Sequence, residues 1–339
     1  MSETAHRIRL AGQALAFACA ADDTLLRAAQ RSGLGFPYEC NVGSCGNCKF
    51  ELLEGPVLTA WAEAPGLTDK DRRRNRHLGC QTRPAGDCVI KLNPGARYEP
   101  PHRPQRLGAA LVARRALTHD ISEFHFALDS AQGFEPGQYA LMQLPGVNGM
   151  RAYSMSNTAD GVGQQVWHFQ VRRVPGGAGS AALFALPDGA RVQIDGPYGM
   201  AWLRRDVPRD ILCLAGGSGL APMVSIARAA MVDPRLAARR LHFIYGGRTV
   251  ADLCGQDLLA ALPGWGSRLT WQGFVSTPQA DAPEQAVALV HEAALQLHGP
   301  QLPQFEIYFA GPPAMSSAVQ RMLLDAGVPP EQQHFDAFY

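Results

Sequence analysis

The sequence predicts a multidomain chain: a small α+β domain, then an antiparallel β-barrel, then an α/β domain built on a parallel sheet. Three observations carry this. At 339 residues the chain is longer than one hydrophobic core usually organises, and two or three domains fit that length. Short alternating runs, punctuated by Gly, Pro and Asp turns, fill residues 107–206 in a rhythm suited to a small barrel. From Val207 onward apolar strand-like runs alternate with helical ones, the pattern of a parallel sheet covered on both faces. The expected boundaries are 1–96, a linker at 97–106, 107–206 and 207–339.

In the first domain HRIRL and ALAFACA are strand-like runs joined by a hairpin turn at Ala11-Gly12-Gln13. Asp22, Asp23 and Thr24 offer N-caps to the helix TLLRAAQRSG, in which Leu25, Leu26 and Ala29 share an apolar face and which Gly33 stops. KFELLEG and DCVIKL supply closing strands. Before them lies FPYECNVGSCGNCKF, residues 36–50, and a further cysteine follows in HLGCQTRP. Cys40, Cys45 and Cys48 stand in the spacing C-x4-C-x2-C, with Cys80 distant, which suits ligation of a [2Fe-2S] cluster. A loop that wraps a cluster so closely needs residues without a Cβ, and Gly43 and Gly46 supply them. Zinc favours paired C-x2-C knuckles, of which only Cys45 and Cys48 make one. Disulfides are disfavoured, because the chain shows no secretory leader and is large enough to need no staples. Cys19, Cys88, Cys213 and Cys254 stand in apolar contexts and read as small buried side chains.

A formal net charge of +1 gives no global basic field that would suggest nucleic acid. The longest apolar run near the start, Ala14 to Ala21, is eight residues, and no segment is long enough to span a bilayer. A cytoplasmic, monomeric protein is expected. Charge is instead local. DKDRRRNR, residues 69–76, lies just before Cys80 and reads either as a solvated helix face or as a docking patch for an acidic electron acceptor. RYEPPHRPQR, residues 97–106, reads as a proline-stiffened linker.

Two motifs interrupt the alternation of the barrel. Arg151-Ala152-Tyr153-Ser154 groups a cation, an aromatic ring and a hydroxyl, although an exposed strand would explain the tetrapeptide taken alone. Gly176 and Gly177 precede a helix expected to start at Ser180, so that backbone N–H groups and the helix end can approach a pyrophosphate; an ordinary glycine-rich turn is the plainer reading. Gly196-Pro197-Tyr198-Gly199 reads as a structural turn. In the last domain the strand DILCLAGG leads into Gly216-Gly217-Ser218-Gly219-Leu220-Ala221-Pro222. Pro222 replaces the last glycine of the G-x-G-x-x-G fingerprint but suits a first helical turn, so phosphate binding at Gly217 and Gly219 is still expected. Where an acid for the ribose is usual, about 20 residues on, the chain has Arg239-Arg240, which suits a 2′-phosphate. Asp252, soon after Gly246-Gly247-Arg248, disfavours one. Gly311-Pro312-Pro313-Ala314-Met315 follows the strand FEIYFAGP, and the histidines are scattered rather than set at metal spacing.

Residues 36–50 with Cys80 resemble a plant-type ferredoxin domain, and RAYS, GGxxS, GGSGLAP and GPPxM resemble the ferredoxin-NADP reductase superfamily. Over nearly the whole chain the order of parts is similar to that of the NADH reductases of bacterial multicomponent oxygenases, most closely those of toluene and other aromatic or alkene monooxygenases. The resemblance implies an α+β ferredoxin (β-grasp) domain, an antiparallel β-barrel flavin domain and an α/β parallel-sheet nicotinamide domain. It implies FAD, with Tyr153 beside the flavin ring, Ser154 near N5 as the catalytic residue, Arg151 on a phosphate, and Gly176, Gly177 and Ser180 at the pyrophosphate. It implies NADH held by Gly217 and Gly219, with Gly311 and Pro312 placing the nicotinamide; Ala310 stands where the family usually has Cys. A terminal aromatic, Phe338 or Tyr339, would shield the flavin face or simply pack.

Nicotinamide gives up two electrons together and a [2Fe-2S] cluster accepts one, so a flavin, which can hold either number, is the fitting intermediary. The expected activity is NADH-dependent passage of electrons through FAD and the [2Fe-2S] cluster to a Rieske ferredoxin, or to the hydroxylase of a soluble di-iron monooxygenase. The reductase of a Rieske-type ring-hydroxylating dioxygenase has the same parts in the same order. A non-catalytic redox sensor would carry the same cofactors.

Overall fold

The structure, a computed structural model, describes residues 5–158 and 164–337. The chain falls into two compact units, Met1–Arg106 with Gly196–Tyr198, and Leu107–Asp195 with Gly199–Tyr339.

Unit 1 opens with an antiparallel hairpin of β1 (Ala5–Leu10) and β2 (Ala16–Ala20), whose alternate residues Ile8, Leu10, Phe17 and Cys19 are buried. In α1 (Leu25–Arg31) the Thr24 hydroxyl accepts the Arg27 N–H at 3.4 Å, and Gly33 ends the turn at φ 86°. The chain continues through β3 (Lys49–Glu54), β4 (Val57–Thr59), α2 (Asp69–Arg73), β5 (Arg76–Leu78), β6 (Thr82–Pro84) and β7 (Cys88–Lys91). The main sheet has the order β2-β1-β7-β3-β5 with β1 and β7 parallel, while β4 and β6 form a separate ribbon. Residues 97–106, read from the sequence as a proline-stiffened linker, also bond back to unit 1. Gln30 Nε2 donates to Tyr98 O at 3.0 Å, and Arg106 reaches Asp22 and Asp23 at 2.5 and 2.8 Å, so non-local contacts tie this stretch to the unit it leaves.

Unit 2 holds two sheets, the first except for residues 105–106 and 196–198, which fall in unit 1. The first comprises β8 (Gln105–Ala116), β9 (Ile121–Gln132), β10 (Tyr139–Gln143), β11 (Arg151–Ser154), β12 (Gln164–Arg172) and β13 (Arg191–Tyr198), with α3 (Ala178–Phe184) between the last two. Its order is β11-β10-β13-β8-β9-β12, and an isolated Met155–Phe169 bridge links the ends toward a barrel. Phe124, Phe126, Trp167 and Phe169 are wholly buried inside it, each worth roughly 1.5–3 kcal/mol of burial. Gly196, Pro197 and Tyr198 prove to be the end of β13, and the turn falls on Gly199 at φ 109°.

The second sheet is wholly parallel, in the order β16-β15-β14-β17-β18. Its elements are β14 (Asp210–Gly216), α4 (Leu220–Val232), β15 (Leu241–Gly247), α5 (Gln256–Ala260), β16 (Leu269–Val275), α6 (Val290–His298), β17 (Phe305–Gly311), α7 (Pro313–Asp325) and β18 (Gln333–Ala337). Helix α4 is apolar almost all round because it lies between this sheet and β12 of the barrel. Ser225 Oγ donates to Asn157 O at 2.6 Å and an Arg228 guanidinium N–H to Ser156 O at 2.7 Å, which joins barrel and sheet into one unit.

Candidate functional site

The four predicted cysteines converge. Register Lys49–Leu78 between β3 and β5, extended by the Gly79 N–H to Cys48 O bond at 2.8 Å, carries Cys80 Sγ to 3.3 Å from Cys48 Sγ. Cys40 Sγ accepts the N–H groups of Val42 and Cys45 at 3.5 and 3.4 Å, and Cys45 Sγ that of Asn47 at 3.5 Å. Gly43 and Gly46 lie at φ 96° and 78°, and a Cβ on Gly46 would meet Gly66 O at 2.6 Å. Cys40, Cys48 and Cys80 are buried and Cys45 half-buried, and none of the four forms a disulfide among the described residues. Of the other four, Cys254 is half-buried rather than buried.

In the barrel the two motifs meet. Register Tyr139–Ser154 with β10 buries Ser154, whose hydroxyl has no hydrogen-bond partner among the described residues. Tyr153 packs against the barrel core, and burial pushes its phenol up to about 12 against the opposing Arg151 charge, so it stays a neutral donor. The first turn of α3 fits against both residues: a Cβ on Gly179 would lie 2.8 Å from Arg151 Cγ and 3.2 Å from Tyr153 Oη. The helix begins at Ala178, not Ser180, with Gly177 as its N-cap. Ser180 faces the loop's own backbone, its Oγ accepting the Val174 N–H at 3.0 Å and donating to Gly177 O at 3.1 Å. Gly176, at φ 71°, has open space around it, and the first-turn N–H groups lack intrahelical acceptors.

A cleft of about 410 Å³ opens at the carboxyl ends of the parallel strands, where such sheets bind ligands. Gly217, at φ 56°, and Pro312 line it. Gly219 and Gly311 act behind it: a Cβ on Gly219 would meet Ala310 O at 1.9 Å, and one on Gly311 would meet Met315 Sδ at 2.6 Å. Arg239 and Arg240 precede β15, at the opposite end of the sheet; Arg239 donates to Pro208 O at 2.7 Å. Arg172, which the strand pattern did not single out, lines the cleft instead. Its Nε donates to Asp120 Oδ2 at 2.6 Å and its Nη2 lies 3.8 Å from Asp252 Oδ1. Tyr339 and Phe338 lie outside the described residues.

Comparison with known proteins agrees with this geometry. Residues 8–85 match the 2Fe-2S iron-sulfur cluster binding domain, residues 108–202 the oxidoreductase FAD-binding domain, and residues 213–321 the oxidoreductase NAD-binding domain. The chain is 40% identical to a ferredoxin–NAD(P)+ reductase of Metapseudomonas resinovorans, over 98% of this chain and 100% of that one. The chain belongs to the ferredoxin–NAD(P)+ reductases of oxygenase systems. The ferredoxin–NAD+ reductase component of an alkene monooxygenase system of Xanthobacter autotrophicus is 36% identical, over 95% of this reductase and 97% of its own length. The structure of a ferredoxin reductase in carbazole 1,9a-dioxygenase superposes with a TM-score of 0.91, at 36% identity and covering 100% of both chains.

The residues of this reductase fit the groups its family implies. Clustered buried thiols with N–H groups aimed at sulfur suit a [2Fe-2S] cluster held by Cys40, Cys45, Cys48 and Cys80. The orphaned Ser154 hydroxyl, with Tyr153 and Arg151 packed on Gly179, suits FAD. When bound, FAD exchanges two electrons with a nicotinamide and single electrons with an iron-sulfur centre. The chain is an oxidoreductase, as the relatives and the matched domains show. Because Ser154 Oγ is already unsatisfied, Ser154→Ala is expected to leave stability within about 0.5 kcal/mol of wild type. NADH-dependent flavin reduction, read by stopped-flow absorbance, should slow about ten- to a hundredfold.

The structure also gathers two histidines that the sequence left scattered. His125 and His168 pair across β9 and β12, and Glu123 Oε2 lies 3.0 Å from His125 Nε2. The imidazole planes are 4° from parallel with centroids 3.6 Å apart, so their in-plane lone pairs run side by side rather than converge on one ion. Burial, with the neighbouring His125, pushes the His168 imidazole down to about 4, and the pair reads as a packed polar contact.

Proposed function

We propose that this reductase uses NADH in preference to NADPH and delivers the electrons to a separate ferredoxin of an aromatic or alkene oxygenase system. The observation that carries the cofactor preference is Asp252 in the cleft. Its Oδ2 accepts the N–H groups of Arg248 and Thr249 at 3.1 and 2.9 Å and the Thr249 hydroxyl at 3.1 Å. Burial pushes its carboxyl up, but those hydrogen bonds and the Arg172 charge outweigh burial and hold it below the usual range. A fixed negative charge there opposes a 2′-phosphate, Arg172 in the same cleft is already engaged by Asp120, and Arg239 and Arg240 stand at the far end of β15.

The two relatives of 40% and 36% identity are named for a ferredoxin as acceptor, which supports a ferredoxin over direct delivery to a hydroxylase. One solved relative belongs to a dioxygenase and one sequence relative to a monooxygenase, so both oxygenase classes stay within the reading. The same reading makes the protein a cytoplasmic monomer with domains meeting near 97–106 and 206. Among the described residues no helix is long and apolar enough to cross a membrane.

Turnover with NADH and NADPH, in wild type and Asp252→Ala, tests the preference. Wild type should favour NADH about tenfold or more in kcat/KM, and the variant should narrow that ratio, chiefly by gaining NADPH activity. Equal or better turnover of the wild type with NADPH would overturn the reading.

A further inference from the structure

Residues 61–76 form a strip held against the cluster loop. Gly66 donates its N–H to Gly43 O at 3.0 Å, and a Cβ on Gly66 would lie 2.7 Å from Gly46 N, so strip and loop touch through backbone. Asp71, which is buried, anchors the rest. Its Oδ2 receives Lys49 Nζ at 2.8 Å, next to Cys48, with the Thr68 N–H at 3.1 Å and the Thr68 hydroxyl at 2.7 Å. Its Oδ1 receives Arg76 at 3.3 Å. Short as it is, α2 rides at a fixed place beside the loop.

Two features of this strip reach the surface. The first is Trp61, which is 42% exposed. Its ring covers Gly43: a Cβ built there would meet Trp61 Cε3 at 3.1 Å and Gln81 Cγ at 3.2 Å, and Gln81 Nε2 lies 3.7 Å from Cys80 Sγ. The indole is thus an exposed aromatic lying over the loop that carries Cys40 and Cys45, and beside the neighbour of Cys80. The second feature is charge. Arg72 is engaged by Asp69 at 3.1 Å, Glu63 at 3.8 Å and Ala62 O at 3.1 Å, and Arg76 by Asp71. Lys70, Arg73 and Arg74 are exposed and have no carboxylate partner among the described residues.

We propose that Trp61 together with Lys70, Arg73 and Arg74 is the surface on which the electron acceptor docks, and that this acceptor is a small acidic redox protein. Its carboxylates meet the three cations while an apolar part of its surface covers the indole. An aromatic centre with a charged rim is the composition of a specific interface, and the cations steer an acidic partner toward the loop. A helix face that served only solubility would need neither the tryptophan nor its place over Gly43. The proposal rests on the reading that electrons leave this chain for a separate ferredoxin.

The test uses the full-length holoprotein carrying R73E and R74E, NADH, and three acceptors: an acidic [2Fe-2S] ferredoxin, the strongly basic cytochrome c, and a small uncharged quinone. At low salt kcat/KM for the ferredoxin should fall about tenfold or more, and its decline with added salt should flatten. Quinone reduction should not change and cytochrome c reduction should not fall. Trp61→Ala, with its visible spectrum intact, should lower ferredoxin kcat/KM while keeping the salt dependence, since it removes contact area and no charge. Unchanged ferredoxin kinetics in the charge-reversed protein, or an equal loss with cytochrome c, would overturn the proposal. A wild type that reduces the quinone but no ferredoxin would bring down the underlying reading, and the proposal with it.

Discussion

Replacing Cys80 by alanine is expected to remove the iron-sulfur absorbance and to bring NADH-dependent reduction of a protein acceptor down to background. Flavin absorbance, and NADH-dependent reduction of a small quinone, should persist. The reason is geometric. Cys80 Sγ lies buried, 3.3 Å from Cys48 Sγ, and the described residues Cys19 and Cys88 of the same unit have their thiols turned to backbone carbonyls, so neither stands in for it. Binding energy at such a centre is also folding energy, so unit 1 should melt earlier in the variant while unit 2, which supplies no ligand, keeps its transition. Visible spectra and differential scanning calorimetry read both effects. A variant that kept its cluster spectrum would show that Cys80 is not a ligand.

The second large effect is expected at Gly219. Its backbone, at φ −61°, is ordinary helical conformation that alanine adopts freely, so the cost of Gly219→Ala is purely one of space. The added carbon would lie 1.9 Å from Ala310 O and 2.3 Å from Ala310 C, both main-chain atoms that cannot swing aside. Either the start of α4 or the end of β17 must move. Overpacking of this kind costs about 1–3 kcal/mol or somewhat more, which should lower the melting temperature of unit 2 by roughly 5–10 °C. The same movement displaces Gly217 and Pro312 on the cleft wall, so KM for NADH should rise about tenfold or more, with the [2Fe-2S] spectrum unaltered. Steady-state kinetics beside thermal melts check it, and a variant with normal KM and stability would refute the steric account.

What the sequence could and could not disclose follows from the range of each constraint. The cysteine loop was legible because its requirements are local: three ligands within nine residues, two glycines at positive φ, and a fourth sulfur delivered by a neighbouring strand. The alternation of strand and helix after Val207 was equally local, and the parallel order β16-β15-β14-β17-β18 follows from it. RAYS and the glycine loop were visible as separate pieces. Their meeting depends on Gly179 having no side chain where Arg151 and Tyr153 pass, and such a contact leaves no mark on either segment's pattern. Arg172 was missed because a period-two strand says which face a residue is on, but not that the strand stops at a cleft. Arg239 and Arg240 suited a 2′-phosphate by sequence distance alone, and distance along the chain from the glycine turn does not tell the beginning of β15 from its end. The prolines of 97–106 describe stiffness only, whereas Gln30 and Asp23 decide where that stretch lies.

The join between barrel and parallel sheet has a consequence for how such chains diversify. Ser225 and Arg228 of α4 both grasp main-chain oxygens, those of Asn157 and Ser156, rather than side chains. A fit of this kind registers the path of the backbone and is indifferent to many substitutions along it. A nicotinamide half exchanged from a homologue whose chain bends alike after β11 is therefore expected to keep both bonds, whatever residues stand at the bend.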